Sequence, residues 1–105
     1  MKPAFRSELA ERDVQLTLEY YLGVSPAVAL EFLDALQAAS AHIEAHPGSG
    51  SPRYAHELGI PQFRFWMLHG FPHALFYVEH DDHLDVIRLP HLRQDIPVSL
   101  RITPP

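Results

Sequence analysis

Arg88, His91, Arg93 and Asp95 stand within eight residues of one another in VIRLPHLRQDIP, the stretch from Val86 to Pro97. An imidazole titrates near neutrality, with an ordinary pKa of about 6.5, so a histidine flanked by a guanidinium and a carboxylate can take up and release protons. The same trio also occurs as plain surface ion pairs worth about 0–1 kcal/mol. Pro90 keeps this segment out of a helix. Arg88 has the parity of Leu84 and Val86 and so leaves its strand on their apolar side. An arginine buried there without a partner would be very costly. Either it reaches the sheet edge and pairs with an acid such as Asp85 or Asp95, or it lines an open sheet face beside Arg64.

Other chemistries find less support. Eight histidines raise the question of a metal, with His42 and His46 four apart and His80 and His83 flanking Asp81-Asp82. A histidine pair is only half of a zinc site, there is no HExxH and there are no cysteines, so neither a metal nor a cofactor is expected. A GxSxG nucleophile signature and the glycine-rich phosphate loops are absent as well.

Charge narrows the partners. Thirteen acids oppose eight bases for a net charge of −5, and Lys2 is the only lysine. General nucleic-acid binding relies on clustered Lys and Arg that displace counterions from phosphates, so no direct nucleic-acid binding is expected. The balance is uneven: residues 1–46 hold three bases and seven acids, and 47–105 hold five bases and six acids. At 47% apolar and 20% charged, the 105 residues suit one folded domain, 1–105. No apolar run is long enough to span a membrane, and MKPAFRSELAERD lacks the apolar stretch of a secretory signal, which predicts a cytoplasmic protein.

Two kinds of element must position these residues. From Ser7 to Leu22, Ala10, Val14, Leu18, Tyr21 and Leu22 recur at helical spacing, with Ser7 as N-cap and Gly23 closing the helix. Ser25-Pro26 opens a second helix with the stripe Ala29, Phe32, Leu33, Leu36, Ser40 and Ile43, and HPGSGSPR ends it. Then FRFWML, HALFYVE and HLDVIRL alternate with HGFP and HDD, the pattern of an antiparallel meander. Lys2 to Arg6 is a weak edge strand because of Pro3. The expected fold is α+β: an N-terminal helical hairpin packed on one face of a three- to four-stranded antiparallel sheet, the other face left open.

FLDALQAASAHIEAHPGSGSPR, followed by FRFWML, HALFYVE and DVIRLPHLRQDIP, resembles the ParE branch of the RelE/ParE superfamily of toxins from bacterial type II toxin–antitoxin modules. The likeness spans about Arg6 to Leu100 and is most specific at Phe32–Leu36, at His46–Gly50 and at Arg88 with His91 and Asp95. It implies a helical hairpin on an antiparallel sheet, and a target-binding surface that includes Arg64, Arg88, His91, Arg93 and Asp95. It further implies a toxin that binds and inhibits DNA gyrase without catalysis. The implied partner is a cognate antitoxin of ribbon-helix-helix type, joined to the toxin in a hetero-oligomer. RelE-like relatives resemble endoribonucleases that cut mRNA in the ribosome, work that calls for strong positive charge, and the acidic balance here fits the ParE-like reading better. An orphan binding module that kept the fold and lost toxicity is the third alternative.

Overall fold

The computed structural model describes residues 1–92. Its order is β1 (Ala4–Arg6), α1 (Glu8–Val24), α2 (Pro26–Ala45), α3 (Ala55–Leu58), β2 (Phe63–Met67), β3 (Ala74–Glu79) and β4 (Leu84–Arg88), with a 3-10 turn at Pro47–Ser49. The α+β architecture is borne out, and β1 forms just beyond Pro3. The sheet runs β1-β4-β3-β2 and is mixed, because β1 lies parallel to β4 while β4, β3 and β2 form the expected antiparallel meander.

Ser7 caps α1 through its hydroxyl, which accepts from the Ala10 amide at 3.1 Å and donates to the Ile87 carbonyl at 3.0 Å. That one side chain therefore ends an edge strand, starts a helix and ties both to β4. Helix α1 does not stop at Gly23 but continues to Val24. The stop comes from Ser25, which Pro26 holds in extended backbone. Its amide closes α1 on the Tyr21 carbonyl at 2.9 Å, and its hydroxyl opens α2 by accepting from the Ala27 and Val28 amides. A single residue thus makes the corner of the hairpin. On α2 the buried stripe is Ala29, Phe32, Leu36, Ala39 and Ile43; Leu33 points outward and Ala39 takes a place in the core.

The main core lies between the helices and the sheet, where Val14, Phe32, Leu36 and Ile43 meet Leu75, Tyr77, Leu84 and Val86. The opposite face is not open, contrary to expectation. Phe63, Ala74 and Phe76 are buried there beneath Tyr54, Leu58 and Ile60 from α3 and its flanks. The Tyr54 ring lies 5.6 Å from Phe65 and 6.0 Å from Phe76, centroid to centroid. A one-turn helix is too short to show a periodic stripe, which hides this cover from pattern reading. Gly59 ends α3 with φ of 68°, the left-handed conformation that glycine adopts without steric cost.

Candidate functional site

A cleft of about 550 Å³ opens between α1 and the chain leaving β4, lined by Asp13, Leu16, Tyr20 and Tyr21 on one side and by His73, Arg88, Leu89 and His91 on the other. Its floor is fixed by an ion pair. Arg88 donates from Nε to Asp13 Oδ2 at 2.7 Å and from Nη2 to Asp13 Oδ1 at 3.0 Å, and the Leu89 amide donates to Oδ2 at 2.9 Å. One carboxylate therefore accepts three N–H groups and joins helix to strand. Both side chains are largely covered, at 19% and 16% exposure. The hydrogen bonds to Asp13 push the Arg88 pKa above its ordinary value, so the guanidinium stays charged.

The geometry at the end of β4 comes from a bulge. Tyr77 faces Val86 but Phe76 faces Arg88, which leaves Ile87 as an extra residue. A bulge bends its strand and re-aims the residues beyond it, and here it delivers the Arg88 side chain and the Leu89 amide to the same acid. Past the bulge the chain keeps pairing despite Pro90: the Ala74 amide donates to the Pro90 carbonyl at 3.2 Å and the Leu92 amide to the Pro72 carbonyl at 2.8 Å. His91 is thereby placed opposite His73, with the ring centroids 5.2 Å apart.

His73 is the buried titratable group of the cleft. It is 7% exposed, packed edge-on to Tyr21 and Phe32, and its Nδ1 has no hydrogen-bond partner among the described residues. Burial, aided by His91 and opposed by Asp13, pushes its pKa down to about 4. The ring is neutral at pH 7. Burial likewise raises the Tyr21 hydroxyl above its ordinary pKa.

Of the residues expected from sequence, Arg88 and His91 are brought together. Among the described residues Arg88 pairs with Asp13 and not with Asp85, and it does not lie beside Arg64. Asp13 sits on α1, 75 positions away in the chain. Arg64 belongs to the far edge strand, beyond β3, and donates from Nη1 to the Gly50 carbonyl at 2.9 Å. There it braces the HPGSG turn together with Tyr77, whose hydroxyl donates to the Pro47 carbonyl at 2.6 Å and accepts from the Gly50 amide at 3.2 Å. A Cβ at Gly50 would overlap that hydroxyl, so the turn requires glycine. Arg93 and Asp95 lie outside the described residues. Asp13 and His73 were not singled out by sequence reasoning: Asp13 reads as one more acid of an acidic helix, and His73 as the first residue of the strand HALFYVE.

A family model described as the ParE toxin of type II toxin–antitoxin system, parDE, matches residues 5–96. A solved structure titled "Chromosomal ParDE TA system from P. aeruginosa" is similar in fold, with a TM-score of 0.70 at 17% identity, covering 87% of this chain and 96% of that one. No curated protein sequence matches the chain.

Proposed function

The chain belongs to the ParE toxin family of type II toxin–antitoxin systems, and from that membership we propose that it arrests growth by binding DNA gyrase, without catalysis, until a cognate antitoxin neutralises it. The observation that carries the non-catalytic reading is the bidentate pairing of Arg88 with Asp13. A ribonuclease cleft needs cations directed at the scissile phosphate, whereas Arg88, the cation that lines this cleft among the described residues, is already neutralised by an acid. The side chains around it suit protein recognition. Tyr20 and Leu16, 68% and 54% exposed, rise beside the polar floor, and tyrosines set around a desolvated charge are typical anchors of protein interfaces.

The target-binding surface is then this cleft, with Arg88 in its floor and His91 in its lining, and it also takes in Arg93, Asp95 and Arg64. The antitoxin is a ribbon-helix-helix protein whose segment covers exposed apolar side chains such as Leu30 and Leu33 on α2, folding as it binds. The two form a stable hetero-oligomer in the cytoplasm; no helix among the described residues is long and apolar enough to cross a membrane. Inducing the chain alone in a bacterium, with chromosome breakage and mRNA integrity followed in parallel, tests this. DNA damage with intact mRNA is expected. mRNA ends within codons soon after induction would make the RelE-like ribonuclease the better reading, and growth without either lesion would favour the orphan module.

A further inference from the structure

The far end of the β3–β4 hairpin, opposite the cleft end of β4, gathers side chains that no part of the toxin reading uses. His80 and His83 flank the Asp81-Asp82 turn and are locked across it by the His80 amide, which donates to the His83 carbonyl at 2.9 Å. Their rings stack with centroids 4.6 Å apart. Asp85, two residues further along β4, points to the same side: its Oδ2 lies 2.8 Å from His80 Nε2 and its Oδ1 lies 3.4 Å from His83 Nε2. One donor atom from each of the three residues falls within 4.8 Å of the others.

We propose that this hairpin tip binds a divalent transition-metal ion of the zinc class through His80 Nε2, His83 Nε2 and the Asp85 carboxylate. Three observations carry the assignment. Zinc bonds to nitrogen and oxygen at about 2.0–2.2 Å, which sets neighbouring ligand atoms roughly 3.3 Å apart in a tetrahedron. Each histidine Nε2 lies near that spacing from one oxygen of the Asp85 carboxylate, His80 at 2.8 Å from Oδ2 and His83 at 3.4 Å from Oδ1. Next, His83 Nδ1 lies 2.6 Å from Asp82 Oδ1. A carboxylate that holds Nδ1–H fixes the tautomer and leaves the Nε2 lone pair for a metal. In that tautomer the Nε2 lone pair faces the Asp85 carboxylate, and two acceptors facing each other require a proton or a cation between them. Finally, Lys2 donates to Glu79 at 2.7 Å and to the His80 carbonyl at 2.8 Å, so Glu79 offsets its charge and Asp81, Asp82 and Asp85 leave the tip net negative. Three protein ligands leave a fourth position for water or for a partner's side chain, as in open zinc sites.

The sequence offers only the His80–His83 pair; the third ligand comes from the strand that the turn folds back. The other histidine pair is otherwise engaged, since His42 stacks on Trp66 at 3.9 Å and its Nε2 bonds the Ser49 hydroxyl at 3.0 Å. The proposal stands independently of the toxin reading. Its test is a titration of the full chain with zinc chloride, followed by calorimetry and by the histidine NMR signals. Saturable one-to-one binding in the micromolar range is expected, with shifts at His80 and His83. His80→Gln and His83→Gln should each abolish it, and Asp82→Ala should weaken it by about tenfold or more. All three variants should keep the wild-type melting temperature in the presence of a chelator. Absence of saturable binding would overturn the assignment, as would binding that survives in the His80→Gln/His83→Gln double variant.

Discussion

Replacing Arg88 with alanine strips the Asp13 carboxylate of two of its three donors in a largely covered position. Leaving a buried charge uncompensated is strongly destabilising, so Arg88→Ala should cost about 3 kcal/mol in denaturant unfolding. A cost below about 0.5 kcal/mol would mean the pair is exposed in solution and the cleft floor is not fixed by it. Removing both partners together should cost less than the sum of the two single changes, the sign of a coupled pair. His73 supplies a second prediction. Its pKa is near 4 when folded and about 6.5 when unfolded, so between those values the unfolded chain binds more protons. Stability is then full above pH 6.5 and falls as the pH drops towards 4, with a limiting slope of about 1.4 kcal/mol per unit. Groups facing the ring are Asp13, His91, Tyr21, Phe32 and, through the aromatic cluster, Phe71. Melting curves of His73→Phe across that range should lose this component, and an unchanged pH profile would show that His73 does not carry it. At this scale the sequence was only half legible. The chemistry of Arg88 and His91 could be read from their types, whereas the pairing with Asp13 is a contact between distant positions that no local pattern announces.

At the scale of elements, strong local signals were the reliable ones. Ser7 and Ser25-Pro26 marked both helix starts because capping is a contact within three residues of the chain. The Ser25 hydroxyl caps α2, whereas the amide that closes α1 survives in alanine, so Ser25→Ala should cost about 1 kcal/mol and loosen the start of α2, readable as faster hydrogen exchange at Ala27 and Val28. The uninterrupted apolar run Ala74–Val78 also held information about the second face. A strand covered on one side alternates, while one covered on both reads as a continuous apolar stretch. Residues Ala74 through Tyr77 are all buried. The cover on their far side, Tyr54 and α3, was invisible because four residues carry no period. The turn at HPGSG has its own test: Tyr77→Phe removes the hydroxyl that serves both Pro47 and Gly50. A loss of about 1–2 kcal/mol is expected by chemical denaturation, and a neutral result would show that the turn is held by Arg64 alone.

For the molecule as a whole, net charge and exposed apolar surface point the same way. A chain of net charge −5 with a single lysine is poorly suited to docking among RNA phosphates, and side chains such as Leu16, Tyr20, Leu30 and Leu33 stand out from its helices for a protein partner to cover. Both suit the proposed protein binder, whose proposed contact surface is the cleft. The direct measurement is DNA supercoiling by purified gyrase with the chain titrated in. Inhibition that saturates near stoichiometric toxin, is relieved by the cognate antitoxin and is weakened by His91→Ala in a fully folded variant is the predicted result. Undiminished supercoiling in an excess of the folded chain would contradict the account.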